Sequence, residues 1–198
     1  MKNRPRQLPR QVRIIGGQWK RTPLPVPEIE GLRPTPDRVR ETVFNWLEHL
    51  KRANWSQLSC LDLFAGSGAF GFEAMSRGAA RAVLVESHPA AIAQLKANQT
   101  KLQASQMTIM AGDAHRLLSV MQDQFDLIFL DPPYQLQMLP SMLALCKARL
   151  AVGGLVYAEY AEAFTEHPLP DWLSGWEVVR SGQAGAVHYA LLTAAVVP

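Results

Sequence analysis

Short apolar runs alternate with helically periodic segments through most of this chain. Buried strands are predicted where apolar residues run together between turn residues, at Cys60–Phe64, Ala82–Glu86, Met107–Ala111, Phe125–Leu130 and Leu155–Glu159. Helical spacing of apolar residues separates them, over residues 69–77, 89–102, 114–121 and 138–150. Alternation of this kind predicts an α/β fold, a mostly parallel sheet with helices on both faces.

The end of the chain follows a different rule. Trp176–Arg180 and Val187–Thr193 predict two further strands, and only a short glycine-containing segment joins them. A parallel crossover needs about a dozen residues or more, and no helix fits between these strands. The sequence therefore predicts an antiparallel C-terminal hairpin at one end of the sheet. Residues 162–175 match no motif.

The front of the chain predicts a small extension. After a polar arm, Val12–Ile15 and Gln18–Lys20 flank two glycines, which is typical of a hairpin with a two-residue turn. Residues 22–34 form a proline-rich connection. Thr35, Pro36 and Asp37 then predict a helix start, with Thr35 as its cap. The buried face of this helix is predicted to hold Val39, Val43, Trp46, Leu47 and Leu50.

Composition bounds the class of protein. With 198 residues, 48% of them hydrophobic, the chain can form one compact domain with a small appendage. We divide it into an N-terminal extension over residues 1–53 and a core over residues 54–198. No apolar run is long enough to cross a bilayer, and the basic N-terminus lacks the apolar segment of a secretory signal. Cys60 and Cys146 lie in apolar segments, as expected of free thiols, so we predict a cytoplasmic protein.

Charge is divided unevenly along the chain. Residues 1–52 hold 12 Lys and Arg against 5 Asp and Glu, a balance of +7, whereas residues 53–198 hold 8 against 12, a balance of −4. A basic front points to nucleic acid as a partner, although a solvated basic tail explains it equally well. The candidate RNA contacts are Arg10, Arg13, Trp19, Lys20, Arg21, Arg33, Thr35, Arg38 and Arg40. Trp19 could equally be a packing residue of the hairpin.

A glycine-rich loop joins the first core strand to its helix. Gly66, Gly68 and Gly71 match G-x-G-x-x-G, and Glu86 ends the next strand, where it can accept hydrogen bonds from ribose hydroxyls. This context predicts a nucleoside cofactor, either NAD or S-adenosylmethionine. Asp62 in the mouth of the loop suits a cationic amino group, and Asp113 can accept from an adenine amino group. Both favour S-adenosylmethionine, as does the lack of a second domain to present a hydride acceptor.

The most informative stretch is Asp131-Pro132-Pro133-Tyr134, directly after a buried strand. Two prolines stiffen a loop that carries a carboxylate, backbone carbonyls and an aromatic ring. Those groups suit a flat ring bearing an NH2 group, because the acceptors take its protons and the aromatic ring stacks on its face. The alternative is an ordinary turn after a strand.

These motifs, in this order, resemble those of class I S-adenosylmethionine-dependent methyltransferases. The segments Arg13–Trp19, Leu32–Thr35 and Asp37–Leu47 resemble, more specifically, the RsmD family of 16S ribosomal RNA guanine-N2 methyltransferases. The resemblance implies a Rossmann-like sheet of seven strands. It also implies methylation of guanine 966 at N2. The substrate would be 16S RNA in the assembled small subunit, and the enzyme would act as a monomer without a metal or a membrane.

The same resemblance assigns roles to residues. Asp131, Pro132, Pro133 and Tyr134 would form the catalytic loop, with Phe the commoner residue at the last position. Cofactor contacts would come from Asp62, Phe64, Ala65, Gly66, Ser67, Gly68, Glu86, Ser87, Asp113, Ala114 and Asp131. Two other readings stay open: an amino methyltransferase acting on DNA adenine or a protein amide, and an NAD-linked oxidoreductase or non-catalytic nucleotide-binding protein.

Overall fold

The computed structural model describes residues 11–29, 34–52, 54–132, 138–164 and 170–195 of the chain. The strands are β1 (Gln11–Arg13), β2 (Pro23–Pro25), β3 (Ser59–Leu63), β4 (Arg81–Glu86), β5 (Met107–Ala111), β6 (Phe125–Leu130), β7 (Leu150–Tyr160), β8 (Trp176–Ala184) and β9 (Val187–Ala194). The α-helices are α1 (Asp37–Leu50), α2 (Ala69–Ser76), α3 (Pro89–Leu102), α4 (Ala114–Val120) and α5 (Leu139–Lys147). Among the described residues, no helix is long and apolar enough to cross a membrane.

Seven of the strands form one sheet in the order β5-β4-β3-β6-β7-β9-β8. The strands from β5 to β7 are parallel, and β9 runs antiparallel to both β7 and β8. The predicted mostly parallel sheet with an antiparallel C-terminal hairpin is therefore confirmed. β7 begins earlier than predicted, because Gly153 and Gly154 occupy a bulge that lies inside the strand instead of before it.

Apolar residues cover both faces of this sheet. The β1–β2 hairpin and helices α1, α2 and α3 pack on one face, and helices α4 and α5 pack on the other. On α1, Val39, Val43 and Leu47 are buried as predicted, while Trp46 and Leu50 are only partly buried. Because hairpin residues such as Val12 lie in the same core as α2 and α3, the front of the chain is fastened to the sheet.

The N-terminal hairpin does not use the predicted two-glycine turn. β1 pairs with β2, so Gln18–Lys20 lies in the connection and not in a strand. The glycines serve a different purpose, since Gly17 adopts a φ of +73°, and a Cβ added there would lie 1.8 Å from the Ser76 carbonyl oxygen. Gln18 N–H also donates to that oxygen at 2.8 Å. The glycine pair lets the connection dock on the end of α2.

Helix α1 begins at the predicted place but with a different cap. Pro36 occupies the N-cap position, and the Thr35 side chain makes no capping hydrogen bond. The Thr35 hydroxyl instead lies 3.1 Å from carboxylate oxygens of both Asp131 and Glu159. The predicted Thr35 cap is therefore wrong, because its hydroxyl contacts the carboxylates of Asp131 and Glu159 instead of a backbone N–H of the helix.

Candidate active site

Carboxylates from successive parallel strands meet at one edge of the sheet. Asp62 lies near the end of β3, Glu86 ends β4, Asp113 follows β5 and Asp131 follows β6. Glu159, near the end of β7, joins this set without having been predicted. The carboxyl ends of parallel strands are where open α/β sheets bind ligands. The fold thus gathers the predicted acidic residues at its usual ligand-binding edge.

The glycine loop turns tightly between β3 and α2. Gly66 and Gly68 have φ values of +53° and +76°, and Phe64 also has a positive φ, of +63°. A Cβ added at Gly68 would lie 2.6 Å from a Leu95 methyl carbon and 2.7 Å from the Phe72 ring. The backbone therefore requires a glycine at position 68, and the positive φ of Gly66 also favours glycine. Their conformation brings the main chain to the ligand-binding edge, as a nucleoside cofactor requires.

Glu86 links the glycine loop to the loop that follows β4 through hydrogen bonds. Its Oε2 accepts a hydrogen bond from Gly66 N–H at 2.8 Å, and its Oε1 accepts from Ser87 N–H at 2.8 Å and His88 N–H at 2.7 Å. The side chain is partly exposed, and a carboxylate has about four lone-pair sites. Glu86 can therefore order both loops and still accept from a ribose, which stays a prediction.

Asp62 is a buried carboxylate with one backbone donor. Its Oδ2 accepts from Gly71 N–H at 2.9 Å. Burial raises the pKa of Asp62 to about 7, the Gly71 hydrogen bond opposes that rise, and the charge of Glu86 adds to it. A cation bound nearby would favour the ionised form of Asp62. This suits the predicted contact with a cationic amino group.

Asp113 caps a helix at the same edge. Its Oδ1 accepts from Arg116 N–H at 2.8 Å, so Asp113 is the N-cap of α4. The residue is exposed, whereas Ala114 behind it is buried. An adenine contact from this position stays a prediction beside the structural role.

Asp131 and Glu159 share one hydroxyl group. Thr35 Oγ1 lies 3.1 Å from Asp131 Oδ2 and 3.1 Å from Glu159 Oε1. Tyr157 OH donates to the same Glu159 oxygen at 2.5 Å. The pKa of Asp131 is raised well above its ordinary value, first by burial and then by the charge of Glu159; the Thr35 hydroxyl opposes this and the charge of Asp62 adds to it. The site is therefore rich in acceptors that compete for the same proton.

Sequence reasoning missed Glu159 although a signal was present. β6 and β7 are parallel, and Leu130 pairs with Ala158, so Asp131 and Glu159 follow neighbouring positions. An acidic residue at the end of each of two buried strands is the pattern that places two carboxylates together. Only the first was recognised, because a proline motif follows it.

The structure describes only the start of the predicted catalytic loop. Pro132 is buried after Asp131, and Pro133 and Tyr134 lie outside the described residues. Their predicted roles remain predictions. Among the residues that the structure describes, no group of three or more His, Cys, Asp or Glu could hold a metal ion.

The predicted RNA contacts divide into surface and interior residues. Arg13, Lys20, Arg21 and Arg38 are exposed, and Trp19 is partly buried against the core. Arg10 and Arg33 lie outside the described residues.

Arg40 and Thr35 lie in the interior. The expectation for Arg40 is corrected by the structure, because its side chain is 0% exposed and donates to Asp37 Oδ1 at 2.7 Å and to the Arg13 carbonyl at 2.9 Å. It joins α1 to the hairpin and presents no charge to a partner. Thr35 is buried as well and belongs to the carboxylate site.

Comparisons with known proteins agree with this geometry. Residues 12–193 match the family model described as conserved hypothetical protein 95. The ribosomal RNA small subunit methyltransferase D of Escherichia coli (strain K12) is 41% identical over 183 residues, which cover 91% of this chain and 89% of that protein. The protein of the same name from Haemophilus influenzae is 38% identical, covering 91% of this chain and 93% of its own length.

Solved structures show the same architecture. A candidate methyltransferase from Escherichia coli superposes with a TM-score of 0.80 at 37% identity, covering 94% of this chain and 99% of that one. A ribosomal protein L11 methylase from Lactobacillus delbrueckii superposes with a TM-score of 0.64 at 16% identity, which supports the fold alone. The predicted class I methyltransferase fold is confirmed.

Proposed function

The chain belongs to the family described as conserved hypothetical protein 95, the RsmD family, and from this membership we propose that it methylates the exocyclic N2 of a guanine in 16S ribosomal RNA. The cofactor is S-adenosylmethionine, and the proposed target is guanine 966. The relatives' names support ribosomal RNA methylation. The choice of guanine and of its N2 rests on the family resemblance, and the residues of the site support only an amino group on a flat ring.

One observation carries the proposal. Asp131 follows β6, which pairs in parallel with β3, the strand that leads into the glycine loop. An acceptor for an amino group therefore stands one strand away from the expected cofactor loop. Neighbouring strands would thus hold the methyl donor and the amine next to each other, which supports a transfer between two fixed partners.

The residues present fit the cofactor. Asp62 suits its cationic amino group, Glu86 its ribose, and the loop from Phe64 to Gly68 approaches closely enough to line its binding site. When bound, the cofactor supplies a methyl group whose bond to sulfur breaks, both electrons staying on sulfur, as N2 bonds to the carbon. Asp113 and Ala114, with Ser87, would complete the adenosine contacts.

The catalytic loop acts on the amine. The N2 lone pair of guanine is delocalised into the ring, so N2 becomes more positive as it attacks. Asp131 and the Pro132 carbonyl are acceptors that stabilise this charge and hold the amino group in line. Tyr134 stacks on the base, which must leave its own stack to reach the site. No described residue needs to act as a nucleophile.

The front of the chain would deliver the RNA. Arg13, Lys20, Arg21 and Arg38 present positive charge on the exposed surface, and Arg10 and Arg33 extend the same set in sequence. We assign RNA contact to residues 1–53 and cofactor binding to residues 54–198. The proposal includes a monomer that acts in the cytoplasm on assembled small subunits.

The experiment is methylation of small ribosomal subunits purified from cells that lack this protein. With labelled cofactor and purified protein, nucleoside mass spectrometry should detect N2-methylguanosine, and mass spectrometry of RNA fragments should place it at one position. The Asp131→Ala variant, checked for cofactor binding, is the matched control. Label in another base, in ribosomal protein or in added DNA would contradict the proposal and favour one of the alternative amino methyltransferases.

A further inference from the structure

One hydroxyl proton lies between two carboxylates in this site, the buried Glu159 and the partly exposed Asp131. The Thr35 hydroxyl lies at equal distances of 3.1 Å from Asp131 Oδ2 and Glu159 Oε1. A hydroxyl has one proton, so it can make a full two-centre hydrogen bond to only one of the two carboxylates at a time, and a proton divided between both would bond each of them more weakly. The second contact becomes a full hydrogen bond only if that carboxyl group carries a proton and donates it to Thr35. The geometry therefore calls for one proton shared along a chain of three side chains.

The two ends of this chain are not equivalent. Glu159 Oε1 also accepts from Tyr157 OH, whereas Thr35 is the one side-chain donor described for Asp131, so Asp131 is the end of the chain that holds the proton when no substrate is bound. The charged groups that face Asp131 also favour its protonated form. Asp62 on β3 and Glu159 on β7 are acidic, and Thr35 before α1 supplies the opposing hydroxyl. Two carboxylates this close do not both ionise without a large electrostatic cost.

We propose, resting on the function proposed above, that Thr35 and Glu159 are positioning residues that share one proton with Asp131 and release Asp131 to act as the charged acceptor for N2. The amino group of guanine supplies N–H donors to Asp131 and so replaces the proton that Asp131 held. That proton moves to Thr35 Oγ1 as the Thr35 hydroxyl proton moves to Glu159 Oε1. The net charge of the site stays the same throughout.

The same chain receives the proton that leaves N2. Guanine N2 bears two hydrogens before methylation and one afterwards, so one proton must depart. Asp131 takes it, after which Asp131 and Glu159 each hold one proton. One of these protons passes to water when the product leaves, which returns the site to its starting state. Neither Thr35 nor Glu159 touches the reacting atoms in this scheme.

The test compares the pH dependence of single-turnover methylation in three variants. Glu159→Gln removes the charge that favours protonation of Asp131, so the acid limb of the rate profile should move to lower pH, by about one unit. Thr35→Val removes the donor that favours the ionised form, so the limb should move to higher pH. Thr35→Ser keeps the hydroxyl and should restore the parent profile. A purely structural role would lower the rates without moving the limb in opposite directions.

Glu177→Gln is the matched control for loss of one carboxylate, since Glu177 is exposed on β8. Its profile should match that of the parent. Carboxyl carbon NMR of the substrate-free protein gives a second measurement that does not depend on turnover. Asp131 should titrate in two coupled steps in the parent and in one step in Glu159→Gln.

The experiments distinguish a failure of the shared-proton proposal from a failure of the proposed function. If Asp131 titrates identically in the parent and in Glu159→Gln, or if both variants shift the limb in the same direction, the shared proton is overturned even where N2-methylguanosine forms. If the coupled titration is present and the product is not N2-methylguanosine, the proposed function is overturned instead.

Discussion

Two acidic centres in this protein surround their carboxylates with hydrogen-bond donors to very different degrees. Glu73 on α2 is 0% exposed and accepts from Ile15 N–H at 2.6 Å, Gly16 N–H at 2.9 Å and Arg77 Nε at 2.8 Å. At the sheet edge, Asp131 and Glu159 share the Thr35 hydroxyl that lies between them. The first centre surrounds one carboxylate with donors, and the second brings two carboxylates to the same hydroxyl.

The number of donors around each carboxylate distinguishes a structural contact from a proposed reactive site. A buried charge with a full set of donors is stable where it is, and removing it leaves those donors unpaired. Burial and the nearby charge of Glu159 raise the pKa of Asp131, and a raised carboxyl pKa is typical of sites that bind cations or move protons. Glu73 therefore explains how the N-terminal hairpin is held, and Asp131 with Glu159 forms the site at which we propose that the chemistry occurs.

The largest expected effect is on stability at the first centre. Glu73→Ala should lower the free energy of unfolding by about 3–5 kcal/mol, because it leaves Arg77 and two backbone N–H groups without their acceptor. Urea unfolding followed by circular dichroism measures this. Glu177→Ala, at an exposed position, should change it by no more than about 0.5 kcal/mol. A Glu73 variant as stable as that control would contradict the fastening role.

The opposite pattern is expected at Asp131. Asp131→Asn keeps the shape and one acceptor oxygen but removes the charge, so kcat should fall by about 10²–10³-fold, nearer the lower end, with KM little changed. Stability should not fall, because the neutral Asn resembles the protonated form that Asp131 adopts beside Glu159 when no substrate is bound. Asp131→Ala should be slower still. Single-turnover transfer on small subunits checks this, and an alanine variant within about threefold of the parent would place the acceptor elsewhere.

Asp62 gives a pH-dependent version of the comparison. Its folded pKa of about 7 lies above the unfolded value near 3.9, so the folded state binds the proton more tightly. Its contribution to stability is present at low pH and is lost as pH rises from about 4 to about 7. Asp62→Asn should therefore gain roughly 2–4 kcal/mol relative to the parent between pH 4.5 and pH 8. Urea unfolding at several pH values measures this. If the stabilities of the parent and of Asp62→Asn change equally with pH, Asp62 does not have a raised pKa in the folded protein.

Glu86 combines features of both centres, since backbone donors hold it and a cofactor contact is predicted for it. Glu86→Ala should weaken S-adenosylmethionine binding by about 1–3 kcal/mol, because hydrogen bonds to a charged group disappear and the glycine loop becomes looser. Isothermal titration calorimetry measures the affinity, and Glu177→Ala again serves as the control. An unchanged affinity in a folded Glu86 variant would remove the ribose assignment.

The sequence predicted most of the sheet because local patterns determine it. Two strands and one helix have the predicted bounds, namely Met107–Ala111, Phe125–Leu130 and Pro89–Leu102. Apolar runs and helical spacing predict them because both are local signals. The antiparallel direction of the two C-terminal strands was predicted from the short length of the segment that joins them. The four carboxylates predicted at the site all come to the same sheet edge, as the parallel order requires.

The failures share a cause, which is contact between distant segments. Gly16 and Gly17 were predicted to form a hairpin turn. They instead allow the backbone to pack closely against Ser76 at the end of α2, about sixty residues away. Arg40 looked like its neighbour Arg38, and only the packing of the hairpin over α1 shows that one is buried and the other exposed. Glu159 acquires its meaning from Thr35, more than a hundred residues earlier. No local pattern contains such information.

The smallest expected effect concerns the exposed basic residues. Lys20→Gln combined with Arg38→Gln removes two charges from the proposed RNA-binding surface, and both residues are exposed. The slope of log affinity against log salt concentration should become shallower by roughly 0.7–0.9 for each phosphate that the protein no longer neutralises. Filter binding to small subunits across a range of salt concentrations measures the slope. Stability and cofactor affinity should stay at parent values.

The choice of these two residues follows from the packing of the front of the chain. Removing residues 1–21 would also remove Val12 and Ile14, which are buried in the core, so a loss of RNA binding could reflect unfolding. Arg81→Gln is the matched control, because Arg81 begins β4 at the sheet edge opposite the site and pairs with Asp123. Its salt slope should equal that of the parent. Equal slopes for the double variant and this control would show that the exposed positive charge of the front does not contact RNA, and that its role is confined to solvation.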